Sequence, residues 1–218
     1  MSDKNEFRTG QPLLIPPPLK YGATVGVIAA SGPVFSDLLS RGILFLRETG
    51  FRIKTGRHLL EKSGYLAGAD EQRLDDLNAM LGDPDVRAIF FARGGYGVMR
   101  LLERLDGATV IQHPKILIGM SDVTALQLSL LTRFNLVTFS GPMIAGQVGE
   151  GLDDTSKEWF VRALTEPLNN RNLWPLDSSI RVLRAGSAQG MLIGGCLSLL
   201  AAHGDAARSG FRKFNFIS

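Results

Sequence analysis

Short apolar runs alternate with amphipathic stretches of helical period along most of the chain. The runs are rich in Val and Ile and are bounded by Gly, Pro or polar residues, which is typical of buried strands. The stretches between them repeat Leu and Ile every three or four residues, as amphipathic helices do. The pattern predicts strands at residues 24–30, 51–55, 86–92, 116–119 and 136–139, and helices at 36–49, 70–81, 98–105, 123–132 and 150–168.

This order of elements predicts an α/β fold that is Rossmann-like, with a mostly parallel sheet flanked by helices. We expect an N-terminal α/β domain over residues 1–168 and a linker over residues 169–179, where the alternation stops. Beyond the linker the pattern favours strands, so residues 180–218 are predicted to begin a smaller, β-rich C-terminal domain. Roughly 40 residues are too few to close a core, so this second domain is expected to be incomplete.

Composition and charge narrow the class of protein. The formal net charge is +3 and the basic residues are scattered, which argues against a nucleic-acid partner. There is one cysteine, Cys196, which excludes an internal disulfide and favours a reducing compartment. The polar N-terminus does not resemble a secretory signal, and no apolar run reaches 18 residues. We therefore expect a cytoplasmic protein with no membrane partner.

A serine at a strand-to-helix junction is the most informative candidate for chemistry. Ser121 follows the apolar strand 116–119 and precedes a helix, so its hydroxyl is expected at the carboxyl edge of the sheet, where open α/β folds bind ligands. The amides of the helix N-terminus would face developing negative charge. The alternative is local capping of the helix by Ser121 or Asp122. The match to a nucleophile elbow is partial, because Val123 stands at the second glycine position.

A glycine-rich turn is the second candidate. Gly94, Gly95 and Gly97 follow a predicted strand directly, and such a turn can approach a ligand closely and offer backbone amides to an oxyanion. The alternative is a turn that binds nothing. A dinucleotide loop is disfavoured, because the Gly-x-Gly-x-x-Gly spacing is absent. No cofactor is therefore predicted.

The histidines carry little functional signal. His58 and His113 lie in polar contexts and His203 lies near the end of the chain, so each is expected to be solvated or to make local hydrogen bonds. No grouping of His, Asp and Glu has the spacing of metal ligands, and Cys196 is most simply a small buried residue. The sequence predicts no metal site.

Several segments, in this order and at these spacings, closely resemble the L,D-carboxypeptidase family of serine peptidases, which includes murein tetrapeptide carboxypeptidases and microcin-C immunity proteins. The resemblance covers about residues 14–204. It is carried by residues 19–31, 64–70 with Arg73 and Asp76, 83–89, 93–97, 115–126, 141–143 and 186–200.

The resemblance implies roles for particular residues. Ser121 matches the family's nucleophile in its Gly-x-Ser-Asp motif, and the oxyanion hole would be formed by the backbone amides of Asp122 and of Gly94 or Gly95. The family cleaves the bond between an L-configured centre and terminal D-alanine in cytoplasmic murein peptides, by an acyl-enzyme and without metal.

The resemblance also implies a substrate-facing surface and an assembly. Tyr96 and Ser140 are expected to contact substrate, with Ser140 standing where the family often has histidine. Cys196 stands where the family usually has asparagine. The family is commonly dimeric, so a homodimer is among the expected assemblies. A non-catalytic module that binds a small peptide or nucleotide is the alternative function.

The rest of the family's triad has no counterpart in this sequence. The family supplies its glutamate and histidine from a C-terminal domain, and residues 204–218 do not resemble that region. Read one nucleotide later, codons for these residues can encode Gly-Thr-Pro-Leu-Ala-Pro-Asp-Phe-Glu-Asn-Ser-Ile-Leu-Phe-Leu, which does resemble it. We therefore expect a frameshift near Gly204 and a truncated chain of 218 residues with little or no carboxypeptidase activity.

Overall fold

The computed structural model describes residues 12–167, 184–187 and 193–202. Five parallel strands form one sheet in the order β2-β1-β3-β4-β5, and helices cover both of its faces. The predicted Rossmann-like α/β class is therefore confirmed. The strands are β1 (Thr24–Ile28), β2 (Arg52–Thr55), β3 (Val86–Phe91), β4 (Ile116–Gly119) and β5 (Phe139–Ser140).

The helices form two layers, each with its own apolar core. One core packs α1, α5 and a short π-type turn against the sheet, and the other packs α2, the 3₁₀ helix, α3 and α4. The helices are α1 (Ser36–Glu48), α2 (Asp70–Gly82), α3 (Gly107–Gln112), α4 (Val123–Phe134), α5 (Asp154–Thr165) and α6 (Leu197–Ala202), with the 3₁₀ helix at Val98–Arg104 and the π-type turn at Ile144–Val148.

The central strand β3 shows why these apolar runs become strands. Its side chains alternate between the two cores, Ile89 and Phe91 on one face and Ala88 and Phe90 on the other, and all four are fully buried. A strand covered on both faces is stable only if nearly every side chain is apolar. The sequence of β3 meets that requirement.

Some predicted elements differ from the structure in their extent, and others lie outside the described residues. The last long helix begins at Asp154 rather than at residue 150, because Gly151 has a φ of +110° and the Asp153 side chain caps the helix by accepting from the Ser156 amide at 2.9 Å. Most of the run at 136–139 is not strand, since β5 begins at Phe139. The linker 169–179, the strand at 180–183 and most of 186–193 lie outside the described residues, so the second domain stays a prediction.

The membrane prediction can be compared with the helices directly. Among the residues that the structure describes, no helix combines the length and the apolarity needed to cross a membrane.

A buried lysine lies at the amino-terminal edge of the sheet. Lys115 precedes β4, is 4% exposed, and donates its ammonium protons to the backbone oxygens of Val86, at 2.8 Å, and of Asp83. Burial lowers the pKa of Lys115 to about 8, although the nearby Asp83 carboxylate acts in the opposite direction. The fold therefore tolerates this charge at a cost.

The cost predicts a pH dependence of stability. Between pH 8 and the ordinary lysine pKa of 10.5, the unfolded chain binds a proton at Lys115 that the folded chain has lost. The contribution of Lys115 to the free energy of unfolding therefore increases with pH across that window, by at most about 3 kcal/mol. Urea unfolding of the wild type and of Lys115→Met between pH 7.5 and 10.5 measures it. The free energy of unfolding of the wild type should rise relative to that of Lys115→Met as the pH rises. A difference between the two proteins that stays constant with pH would contradict the assignment.

Candidate active site

The candidate site lies where the chain order of the sheet reverses. The strands β1 and β3 are neighbours, but the chain leaves β1 towards one face of the sheet and β3 towards the other. Their following loops meet over the carboxyl edge, where the Gly32 amide donates to the Gly94 carbonyl at 3.0 Å. Such a reversal opens a crevice at the ends of the strands, which is the usual ligand site of open α/β sheets.

Ser121 sits at the edge of this crevice in a strained conformation. It connects β4 to α4 with a φ of +58°, a left-handed value that few residues other than glycine adopt. The serine is half-buried. Strained serines at strand-to-helix turns are typical of nucleophile elbows, because the turn pushes the hydroxyl out above the sheet.

The hydroxyl of Ser121 faces the glycine-rich turn. A Cβ placed on Gly94 would lie 2.9 Å from the Ser121 Cβ and 3.0 Å from its Oγ. The absence of a side chain at Gly94 therefore makes room for the hydroxyl. Within the described part of the chain, no group forms a hydrogen bond with the Ser121 Oγ, so the oxygen is available to a ligand.

Three backbone amides belong to the two loops that meet at Ser121. The N–H of Asp122 begins the first turn of α4, and the N–H groups of Gly94 and Gly95 belong to the turn that Ser121 faces. Among the described residues, none of these three amides donates a hydrogen bond. Free amides at a helix N-terminus and in a glycine turn can stabilise an oxyanion. The structure thus brings together Ser121, Asp122, Gly94 and Gly95, the residues that the sequence nominated.

The side chain of Asp122 has a role that local capping did not predict. Asp122 is 4% exposed and its side chain makes no capping bond to α4. Its carboxylate instead accepts from the Val98 amide at 2.9 Å. Because Val98 directly follows the glycine-rich turn, this bond joins that turn to the loop that carries Ser121.

Arg93 holds the loop that follows β1. Its guanidinium donates to the Pro33 carbonyl at 2.7 Å and lies 4.6 Å from the centre of the Phe35 ring. A hydrogen bond and a cation–π contact from one side chain restrain this loop against the turn. The wall of the crevice formed by residues 31–35 is therefore tied to β3.

The two predicted substrate contacts lie at the same edge of the sheet. Tyr96 is half exposed and its ring centre lies 6.0 Å from that of Tyr65. Ser140 is exposed at the end of β5, where it is in register with Gly119, two residues before the serine nucleophile candidate. Their positions are compatible with substrate contact, and that role stays a prediction.

Gln127 is a supporting residue that sequence reasoning missed. It is 6% exposed on α4, and its amide nitrogen donates to the backbone oxygens of Gly119, at 2.9 Å, and Phe139, at 2.7 Å. It therefore joins β4 and β5 just beneath the elbow. A glutamine in an amphipathic helix normally indicates a solvated face, so periodicity alone gave no signal.

The structure gathers one group of His and Asp residues whose spacing in the sequence gave no hint of it. His58, Asp75 and Asp76 offer ligand atoms within 4.8 Å of one another. Local interactions account for the group: the Asp76 carboxylate accepts from the His58 backbone amide, and the Asp75 carboxylate lies 3.5 Å from the His58 ring. Burial raises the pKa of Asp76, with the hydrogen bond from His58 acting against it.

Neither histidine in the described part of the chain forms a hydrogen bond with Ser121. His58 belongs to the group above, and His113 ends α3. His203 lies outside the described residues. Cys196 is half-buried rather than fully buried, and its amide donates to the Thr124 hydroxyl at 3.0 Å, which places it beside the first turn of α4.

Comparison with known proteins finds related sequences. The family model described as the LD-carboxypeptidase N-terminal domain matches residues 25–141. The chain is 39% identical over 194 residues to a probable murein peptide carboxypeptidase of Bacillus subtilis (strain 168), covering 86% of the chain and 58% of the relative. It is 35% identical over 182 residues to a murein tetrapeptide carboxypeptidase of Pseudomonas aeruginosa, covering 81% and 59%.

A solved structure supports the same relationship. The microcin C7 self-immunity protein MccF, in complex with aspartyl sulfamoyl adenosine, superposes with a TM-score of 0.75 and is 29% identical. The match covers 87% of this chain and 65% of that structure. The chain thus spans less than two thirds of the length of each of these relatives.

The contact between Gly94 and Ser121 generates the first prediction for the site. The labelling experiment uses a chain that also carries the glutamate and histidine implied by the family resemblance. In Gly94→Ala the new methyl group would press on the Ser121 side chain, so the rate at which a fluorophosphonate labels Ser121 should fall about tenfold or more. Gly82→Ala is the matched control, because it lies at the exposed end of α2 with its nearest neighbour at 3.9 Å. Equal labelling of both variants would contradict the geometry.

The hydrogen bond from Val98 to Asp122 generates the second prediction. Asp122→Ala leaves a buried amide without an acceptor and should lower the free energy of unfolding by about 1–3 kcal/mol. Asp122→Asn keeps an acceptor oxygen and should recover at least half of the loss. Urea unfolding measures both variants, and an asparagine variant no better than alanine would count against this role.

Proposed function

The chain belongs to the LD-carboxypeptidase family, and on that premise we propose that the protein is a serine-type L,D-carboxypeptidase. The observation that carries the proposal is the strained Ser121, whose hydroxyl faces Gly94 beside three unused backbone amides. This arrangement suits attack on an amide carbonyl, because a nucleophile beside free backbone amides can both attack the carbonyl carbon and stabilise the oxyanion that forms.

The proposed reaction proceeds through two acyl transfers. The Ser121 oxygen attacks the carbonyl carbon of the terminal amide. The negative oxygen that forms accepts hydrogen bonds from the backbone N–H of Asp122 and from the backbone N–H of Gly94 or Gly95. Collapse of this intermediate breaks the C–N bond and releases the terminal residue as a protonated amine, leaving an ester on Ser121. Water then attacks the ester and regenerates the hydroxyl.

A general base must accept the serine proton and later protonate the amine. The family resemblance implies a histidine oriented by a glutamate, and neither residue has been matched in this sequence. A serine hydroxyl without its base is a weak nucleophile. The proposed reaction therefore applies to a chain that also carries this pair.

We propose murein tetrapeptides as the substrate and terminal D-alanine as the product. Support comes from the two relatives named as murein peptide carboxypeptidases, which share 39% and 35% of aligned residues with this chain. The setting that fits this substrate is cytoplasmic peptidoglycan recycling. A homodimer stays one of the expected assemblies, on the family resemblance alone.

A second candidate function is binding of a small peptide or nucleotide without catalysis. The observation that favours it is the missing base at Ser121 among the described residues. A related protein is also known in complex with aspartyl sulfamoyl adenosine, which joins an amino acid to a nucleoside. In this case the crevice would hold its ligand intact.

Two measurements separate the candidates. A chain that carries the family's glutamate and histidine should release D-alanine from a murein tetrapeptide, and Ser121→Ala should lower the rate about 10³-fold or more. A fluorophosphonate should label the same chain, with its glutamate and histidine, at Ser121 and should not label its Ser121→Ala variant. Tetrapeptide binding with neither labelling nor release would reject the hydrolase and favour the binding module.

A further inference from the structure

A second group of side chains, beside the glycine-rich turn, has no role in the proposed chemistry. Tyr65 and Tyr96 are 65% and 50% exposed, and their rings are tilted by 57° with centres 6.0 Å apart. Two large aromatic rings held together in solvent form an apolar platform. Single exposed rings are ordinary on protein surfaces, but this pair is combined with a positioned cation.

That cation is Arg100, on the 3₁₀ helix that follows the turn. Its Nε donates to the Asp70 carboxylate at 2.7 Å, and it is about half exposed. The hydrogen bond and the charge of Asp70 raise the pKa of Arg100. The Arg100 backbone amide donates to the Gly97 carbonyl at 3.2 Å, so Arg100 lies on the first turn of the helix that follows Tyr96. Among the described residues, its two terminal nitrogens donate to no acceptor.

A buried arginine beneath this group sets its net charge. Arg73 is fully buried and donates to Asp70 and to the Ala30 carbonyl. Partial burial opposes ionisation of Asp70, but the hydrogen bonds from Arg100 and Arg73 outweigh it and hold the pKa of Asp70 below its ordinary value. Two guanidiniums thus share one carboxylate, which leaves one positive charge uncompensated.

The platform lies on the rim of the candidate active site. Tyr96 is part of the turn that faces Ser121, and a Cβ on Gly32 would lie 3.8 Å from both the Tyr65 carbonyl oxygen and the Gly95 Cα. A ligand whose reacting carbonyl reaches Ser121 can therefore continue across the turn onto the two rings. The uncompensated guanidinium belongs to Arg100, on the 3₁₀ helix that directly follows this turn.

From this arrangement we propose that Tyr65, Tyr96 and Arg100 form a subsite for a carboxylate-bearing part of the ligand. The carboxylate pairs with the free nitrogens of Arg100, whose planar fork matches two carboxylate oxygens, while the adjoining carbon chain rests on the rings. The assignment rests on the proposed function only for the identity of the ligand, which is a peptide with several carboxylates.

Binding to Ser121→Ala tests the subsite without hydrolysis. The ligands are a murein tetrapeptide and two analogues, one amidated at the terminal carboxylate and one at the internal carboxylates. In this background Arg100→Gln should weaken binding of the unmodified peptide about tenfold, the usual effect of losing a charge-assisted hydrogen bond. It should not weaken binding of the analogue that already lacks the recognised carboxylate. Titration calorimetry gives the dissociation constants.

Arg104→Gln is the matched control. Arg104 lies on the same 3₁₀ helix, is similarly exposed and pairs with Glu71 at 3.1 Å. The Arg104→Gln substitution should change the dissociation constant of the unmodified peptide less than twofold. Arg100→Lys should recover only part of the affinity, because it keeps the charge and loses the fork. Urea unfolding of all variants checks that the fold is unchanged.

The outcomes distinguish the subsite from the proposed reaction. Whichever amidated analogue becomes insensitive to Arg100→Gln identifies the carboxylate that is bound, and either result supports the subsite. Equal weakening of all three peptides, or an effect no larger than that of Arg104→Gln, would overturn it. A chain that carries the family's glutamate and histidine, binds by this rule and releases no D-alanine would instead reject the reaction and keep the subsite.

Discussion

The hydrogen bond between the Asp122 carboxylate and the Val98 amide organises the carboxyl edge of the sheet. It joins two loops that leave neighbouring strands, β3 and β4, and it is shielded from water. An ionised acceptor makes such a bond stronger than one between neutral groups, and burial makes its loss costly. The distance between the Ser121 hydroxyl and the Gly94 turn is set by this bond together with the strands below.

The remaining contacts around the crevice build on the same frame. Gly32 hydrogen bonds to Gly94, Arg93 restrains the loop after β1, and Gln127 joins β4 to β5 beneath the elbow. Each of these contacts links two segments that come from different strands. The site is therefore a product of the parallel sheet, which brings the ends of several strands to one edge.

The limits of sequence reasoning follow from the range of each interaction. Periodicity predicted the strands before Gly94 and Ser121 because burial of alternate side chains is a local property. The turn at Ser121 was also visible, since a serine between an apolar strand and a helix is a local pattern. A local pattern also gave a wrong boundary. The predicted helix begins at residue 150, whereas the positive φ of Gly151 and the cap by Asp153 place its first residue at Asp154.

Contacts between distant segments gave no such signal. Asp122 read locally as a helix cap, and its actual partner at Val98 becomes a neighbour only when β3 and β4 pair. Arg100 read as one of many scattered basic residues, and its link to the buried Arg73 runs through Asp70 on another helix. Such relations depend on tertiary structure, which no single periodicity encodes.

The left-handed backbone of Ser121 has a consequence for how this protein can change over evolutionary time. Glycine and asparagine adopt that conformation with less strain than serine, so replacing the proposed nucleophile by either would remove the proposed reaction and keep, or even improve, the stability of the domain. Natural selection acting on folding alone would not remove such chains. Descendants that retain the crevice but have lost chemistry, and that survive as receptors for small ligands, are therefore an accessible outcome of a single substitution.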